Sequence, residues 1–275
     1  SLLIKKIQLL QDYGANKIAI LFDDIPKNKS LQELGFKSDG LHHAKIVNDI
    51  GNLLKIDIFV VPKIYAFELQ KCDKLYFDYF FSEIQQNHLV IFCGKKIVAK
   101  RKNDLLIPIE CKNRIIFWDN IYANDYCPRK LMIGPWKYRE KIKNIMINPT
   151  GLIETDLFLL DVIYLSSKDF NSKQAWHKAC KISKIPNDIF IIEKYLNPYN
   201  FTAINLKTLS NNFKVIHDSL DQLLWNWNSK LSREWYPYLF CLKQDLLLVT
   251  NRISKKNIFK TQTPFLAPHI TERID

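Results

Sequence analysis

Five short apolar runs, each leading into a polar or aromatic residue, constrain this chain more than any other feature. KIAILF (17–22) ends in Asp23-Asp24, IDIFVVP (56–62) is followed by Tyr65, and HLVIFCG (88–94) ends in Cys93-Gly94. RIIF (114–117) runs into Trp118-Asp119-Asn120, and KNIMINP (143–149) into Asn148. The runs recur at roughly thirty residues, the length of one βα unit. A repeated unit of buried strand, functional tip and helical return builds a parallel sheet with its chemistry at the strands' C-terminal ends. Carboxylates, an amide, a phenol and an indole at the tips suit a sugar better than a nucleotide.

Between the runs, apolar residues fall at helical spacing. Leu3, Ile7 and Leu10 form a stripe ahead of Gly14, and Leu41, Ala44, Val47, Ile50 and Leu54 form another. Further helical segments are expected near 67–86 and 128–144, while 97–110 is short and ambiguous. After Asn148-Pro149-Thr150-Gly151 the spacing is helical almost throughout, punctuated by Ile185-Pro186, Asn197-Pro198 and Tyr236-Pro237. The expected organisation is a βα domain over 1–150 and an all-helical, stalk-like domain over 151–275. Five βα units fall short of a closed eight-stranded barrel, which takes about 250 residues. On periodicity alone they form either an open doubly wound sheet or part of a barrel.

Composition narrows the function classes. With 47% hydrophobic residues and 7 glycines in 275, the chain has ample material for a core. No apolar stretch approaches a membrane span; the longest, around Leu157 to Leu165, is interrupted by Asp161. The net charge of +12 raises nucleic acid as a partner, but the basic residues are spread out, in runs no longer than Lys100-Arg101-Lys102, which fits a solvated surface. Six cysteines (72, 93, 111, 127, 180 and 241) show neither a CxxC pair nor metal-ligand spacing. They read as free thiols, which favours the cytoplasm slightly, and no metal or cofactor is expected. Of the histidines, His42 and His43 open a helix and suit its surface or the support of neighbouring groups; the other four are scattered. Trp225, Trp227 and Trp235 read as core residues of the helical part.

The segment WDNIYANDYCPRKLMIGPW (118–136) resembles the hallmark of glycoside hydrolase family 84, the β-N-acetylglucosaminidases that include O-GlcNAcase and bacterial relatives. LFDDIP (21–26) resembles the family's catalytic aspartate pair, and VVPKIY (60–65), FCG (92–94) and INP (147–149) follow in the family's order. The resemblance covers residues 2 to about 150, and continues weakly into a helical domain. It implies that the chain is the C-terminal part of a TIM-type (β/α)8 barrel, from the third helix onward, followed by the all-helical domain. Lys63-Ile64 stand where the family has Thr-Glu, and Cys93 replaces a threonine.

What the resemblance implies for chemistry is specific. Asp23 would polarise the substrate's acetamido N–H, so that its carbonyl oxygen attacks C1 and forms an oxazoline. Asp24 would protonate the leaving oxygen and then deprotonate water. Adjacent carboxylates push their two pKa values apart, which suits one ionised and one protonated role. Tyr65 would stabilise the oxazoline, Trp118 would wall the acetamido pocket, and Asn120 would donate on the acetamido side. Asp125 would grip the sugar's O4 and O6 hydroxyls with help from Asn148. Asp119 reads as a structural hydrogen-bonder. The expected activity is retaining hydrolysis of terminal N-acetylglucosamine from a glycoprotein or glycan. The alternative is a non-catalytic glycan- or protein-binding remnant. With three barrel strands lacking a counterpart, completion by an upstream segment or a homodimer is expected.

Overall fold

In the computed structural model the described residues are 2–23, 25, 38–108, 113–125, 130–168, 171–200, 204–250 and 252. The chain divides into two compact units, Ser1–Asn120 with Ile142–Ile147, and Ile121–Lys141 with Asn148–Asp275.

The first unit holds the sheet. Strands β1 (Ile18–Leu21), β2 (Ile58–Val61), β3 (Leu89–Phe92), β4 (Ile115–Asp119) and β5 (Ile145–Ile147) are all parallel, in the order β1-β2-β3-β4-β5. Strictly sequential order means that every crossover steps in the same direction. Because such crossovers are right-handed, the returning segments share one face of the sheet. A doubly wound sheet instead reverses its order at a switch point and carries helices on both faces. The observed order is that of a barrel sector.

Register assigns the faces. Ile18 and Ile20 of β1, Ile58 and Val60 of β2, Val90 and Phe92 of β3 and Ile115 of β4 join one core. Its other wall comes from α2 (Asp39–Leu54), through Ala44, Val47 and Ile50, and from α3 (Tyr76–Glu83), through Tyr76, Phe77 and Phe80. Ser38 starts α2 by accepting from the Gly40 N–H at 3.0 Å, and Lys55 ends it in the left-handed conformation, φ 55°. The opposite face carries the alternate residues Ala19, Leu21, Phe59, Val61, Ile91, Ile116, Trp118 and Met146. It too is apolar, as barrel strands are on both faces. Yet Leu21 is 58% and Met146 36% exposed.

Local expectations needed three corrections, two in this unit and one in a segment that lies mostly in the other. On α1 (Leu2–Asp12) only Ile7 of the expected stripe is buried, because no described strand lies beyond β1 for Leu3 and Leu10 to pack on. The 67–86 segment splits into a 3-10 turn, Phe67–Cys72, and α3. The expected helix over 128–144 is not there: among its described residues, 130–144, none is helical. Pro135 lacks the N–H a helix needs, and Tyr138 sits in the left-handed region at φ 72°.

The second unit contains α4 (Ile153–Ser166), α5 (Ser172–Ile182), α6 (Ile189–Leu196), α7 (Leu206–Asn211), α8 (Phe213–Asp221) and α9 (Lys230–Val249). Phe158 of α4 meets Trp176 of α5 and Trp235 of α9 edge-on, with ring centroids 5.4 and 5.8 Å away, and both indoles are fully buried. Leu152 gives α4 no side-chain cap. Glu234 of α9 does so instead, accepting from the N–H groups of Glu154 (3.0 Å) and Thr155 (2.9 Å) and from Thr155 Oγ1 (2.8 Å). Helix α9 runs through Pro237 rather than stopping there, held by the burial of Trp235, Tyr238, Leu239 and Leu242 around it. Trp227 is buried as expected, but Trp225 is 59% exposed, on the wide π turn Gln222–Asn226 that follows α8.

The segment 121–141 clusters with these helices. The Tyr122 hydroxyl donates to Gly134 O at 2.6 Å, and Ile133 N donates to Leu196 O at 3.2 Å. Arg139, completely buried, donates to Lys137 O at 2.8 Å and to the Tyr199 hydroxyl at 3.2 Å.

Candidate active site

The C-terminal ends of β1 to β4 form a cross-linked rim. After β1 the ladder continues for one more bond, Phe22 N to Val61 O at 2.9 Å, so Asp23 starts where regular pairing stops. Asp23 is half-buried; Asp24 lies outside the described residues. After β2 the chain turns, and the Tyr65 carbonyl accepts from Cys93 N at 2.8 Å. That bond ties the second tip to the third. The Tyr65 ring lies 5.5 Å from the Trp118 ring, tilted by 47°. Trp118, half-buried, belongs to the second apolar face of the sheet, one residue before the end of β4.

The loop after β3 folds back tightly. Gly94 has φ 91°, and a Cβ there would meet Asp104 O at 2.5 Å, so only glycine lets the two backbones approach. Lys95 N then donates to Asp104 O at 2.7 Å. Glu68, just after β2, accepts from Ile97 N at 2.6 Å and pairs with Lys96 at 2.9 Å. The Ile97 carbonyl is thereby aimed at Asn120. The Asn120 side chain, 5% exposed, donates through Nδ2 to Ile97 O at 3.0 Å and to Cys93 Sγ at 3.2 Å. Burial pushes the Cys93 thiol well above its ordinary range; the Asn120 bond works against this, while the carboxylates of Asp119, Glu68 and Asp23 add to it. A neutral, buried thiol is an unreactive packing group.

The structure thus brings Asp23, Tyr65, Trp118 and Asn120 to one rim of the first unit. Asp119 is fully buried beneath it. Asp125 and Asn148 belong to the second unit: Asp125 is exposed, and Asn148, half-buried, directly follows β5. Among the described residues no group of three or more His, Cys, Asp or Glu side chains could hold a metal ion. Nor is any described helix long and apolar enough to cross a membrane.

Beneath the first two tips lies a network that local patterns gave no means of assembling. His43 Nδ1 is 3.0 Å from the Tyr76 hydroxyl, which also accepts from Lys63 N at 3.0 Å. The His43 ring stacks on Phe22 at 4.1 Å, nearly parallel. Lys63 Nζ pairs with Asp39 in the first turn of α2. His43 and Tyr76 are 33 residues apart, so the only local signal was a histidine pair opening a helix.

Comparison with known proteins shows the family and the fold. The family described as NAGidase, beta-N-acetylglucosaminidase, matches residues 1–188. The Protein O-GlcNAcase of Rattus norvegicus and that of Mus musculus are each 27% identical to the chain, over 57% of this chain and 19% of theirs. The chain therefore spans about a fifth of the length of these relatives. Among solved structures, a mutant of the Thermobaculum terrenum O-GlcNAc hydrolase superposes with a TM-score of 0.66 at 18% identity, covering 94% of this chain and 66% of that one. CpGH84B gives a TM-score of 0.60 at 17% identity, covering 94% and 52%. At such identities the superpositions speak for the fold: a partial barrel of βα units followed by helices.

Proposed function

We propose, from the premise that this chain belongs to the β-N-acetylglucosaminidase family, that its strand-end rim is a site for terminal N-acetylglucosamine. The reaction is retaining hydrolysis assisted by the substrate itself. The acetamido carbonyl oxygen attacks C1, the bond from C1 to the leaving oxygen breaks, and an oxazoline forms. Water then attacks C1 from the opposite side and reopens the ring. Two displacements at C1 restore the β configuration, the outcome that retaining enzymes reach with a carboxylate nucleophile.

Each residue has one task in this reading. Asp23, ionised, accepts from the acetamido N–H and raises the nucleophilicity of its carbonyl. Asp24 gives its proton to the leaving oxygen and later takes one from water. Tyr65 hydrogen-bonds the developing oxazoline, and Trp118 walls the acetamido methyl with apolar area. Asn120, fixed by Cys93 and Ile97, lies on the acetamido side. Asp125 and Asn148 serve the sugar's hydroxyls, for which paired planar acceptors and donors are well suited. Substrates are N-acetylglucosamine-bearing glycoproteins or glycans, and no cofactor takes part. Residues 1–150 carry the catalytic machinery and 151–275 a stalk-like domain.

The observation that carries this reading is the meeting of Tyr65 and Trp118, 5.5 Å apart, at the rim where Asn120 bonds Cys93 and β1 runs into Asp23. A second reading, a non-catalytic remnant that binds glycan or protein, is favoured by the exposure of Leu21 and Met146 on the sheet's inner face. An open parallel sheet leaves edges and an uncovered interior that in a whole barrel are closed. Hydrolysis of an aryl β-N-acetylglucosaminide, measured on this chain and on a version extended upstream in its reading frame, separates the two. Turnover by the extended protein, with little or none by this chain alone, is expected. Saturable sugar binding without turnover in either protein would favour the remnant.

A further inference from the structure

We propose that His43 and Tyr76 are positioning residues that lock the aspartate tip of β1 to the tyrosine tip of β2, an assignment that rests on the catalytic reading of Asp23, Asp24 and Tyr65. The Tyr76 oxygen accepts the Lys63 backbone N–H at 3.0 Å, and its own single proton can point at only one other partner, His43 Nδ1, at 3.0 Å. Nδ1 is therefore the acceptor, and a neutral His43 carries its proton on Nε2. Both side chains are buried, Tyr76 completely and His43 to within 3% of full burial, so neither bond has water to replace it.

The two ends of this relay are the tips themselves. At one end the imidazole lies flat on Phe22, centroids 4.1 Å apart and planes within 9°. Phe22 is clamped a second time by its backbone bond to Val61 O, and it immediately precedes Asp23-Asp24. At the other end Tyr76 holds the Lys63 backbone, two residues before Tyr65, whose carbonyl is in turn fixed by Cys93 N. Lys63 is held once more, by its ammonium on Asp39 at the start of α2. Helices α2 and α3 thus reach through the sheet's outer layer to set the spacing between a carboxylate loop and a phenol that must meet the same acetamido group. Asp39, His42, Lys63 and Tyr76 are the titratable groups acting on His43; burial lowers its pKa to about 4, with Lys63 and His42 lowering it and Asp39 opposing them. Protonation would turn Nδ1 into a donor facing the Tyr76 oxygen and strand the phenolic proton in the core.

The experiment uses the 275-residue chain and three variants, Tyr76→Phe, His43→Phe and the double substitution. Imidazole 15N spectra should show His43 as the Nε2–H tautomer at neutral pH. Tyr76→Phe should move the amide resonances of Phe22, Asp23, Lys63 and Tyr65, and so should His43→Phe, which keeps an aromatic ring on Phe22. In the form that turns over, each single variant should lose about tenfold in kcat with little change in KM, and the double should be no worse than the lower single, as expected for groups acting through one geometry. An Nδ1–H tautomer, shifts confined to α2 and α3, or losses that multiply in the double variant would overturn the proposal. If the tip resonances move as expected while no form hydrolyses an N-acetylglucosaminide, the relay stands as structure and it is the catalytic reading that falls.

Discussion

Replacing Gly40 by alanine tests how the outer helices hold the rim. A Cβ at this position would lie 2.3 Å from the Tyr76 carbonyl oxygen and 3.1 Å from Phe80 N, both backbone atoms of α3. Neither can swing aside like a side-chain end, so the two helices must part by roughly 1 Å to reach ordinary contact. Overpacking of this kind costs about 1–3 kcal/mol. It is offset by at most about 1 kcal/mol from replacing glycine in a helix. The net loss spans about 0–3 kcal/mol, and its middle, about 1–2 kcal/mol, corresponds to a 5–30-fold change in an opening equilibrium. Native-state amide hydrogen exchange reads this directly. Amides of α2 and α3 should exchange 5–30-fold faster, while those of α4 and α9 keep their rates. Because Ser38, Asp39 and His43 ride on the same helix, the amide shifts of Phe22 and Lys63 should move as well. Unchanged or slower exchange in α2 would show that the close crossing at Gly40 does not set the helix spacing, and the argument built on it would fail.

Other outcomes follow from named contacts. In the catalytically complete protein, Asp24→Asn should slow hydrolysis most for poor leaving groups, whereas Asp23→Asn should slow all substrates alike; equal and small effects would show that the pair is not catalytic. His43 is bound neutral, so the unfolded chain takes up a proton near pH 6.5 that the folded chain takes up only near 4. Its contribution is therefore complete above pH 6.5 and is lost as pH falls to 4, about 3 kcal/mol in all. His88 is shifted in the same direction by burial and adds to the slope. Urea melts of wild type and His43→Phe across that window should differ, the variant showing the flatter dependence. Glu234→Ala leaves two N–H groups and the Thr155 hydroxyl at the start of α4 without their acceptor. It should cost about 2 kcal/mol in thermal or urea unfolding, with Glu234→Gln recovering part of the loss.

The strands and their tips were legible because parallel barrel strands are short, apolar on both faces and spaced by one βα unit. Periodicity alone left their order open between a doubly wound sheet and a barrel; the family resemblance implied the sequential order, and the strand pairing shows it. The 128–144 segment was misread as a helix because its apolar spacing outweighed Pro135, and nothing local announces that Arg139 will be buried with its guanidinium on Lys137 O and Tyr199. Pro237 failed in the opposite sense, as a breaker overruled by the packing of α9. Trp225 carries the same local signal as Trp227 but falls on the π turn, outside the core. Of the site, the residues at the rim could be named from sequence. The network that supports them joins Phe22 after β1, His43 of α2, Lys63 after β2 and Tyr76 of α3, and such contacts leave no periodic trace.

In the proposed reaction the substrate's own acetamido oxygen is the nucleophile, assisted by Asp23, Asp24 and Tyr65. The most direct test is the hydrolysis rate of aryl β-glucosaminides whose N-acetyl group carries zero, one, two or three fluorines, measured on the catalytically complete protein. Each fluorine draws electron density from the carbonyl oxygen and weakens it as a nucleophile while leaving the glycosidic bond untouched. kcat/KM should fall steeply and monotonically along the series. Rates that stay level across the four substrates would contradict the proposed reaction, because a nucleophile belonging to the protein would not feel the change.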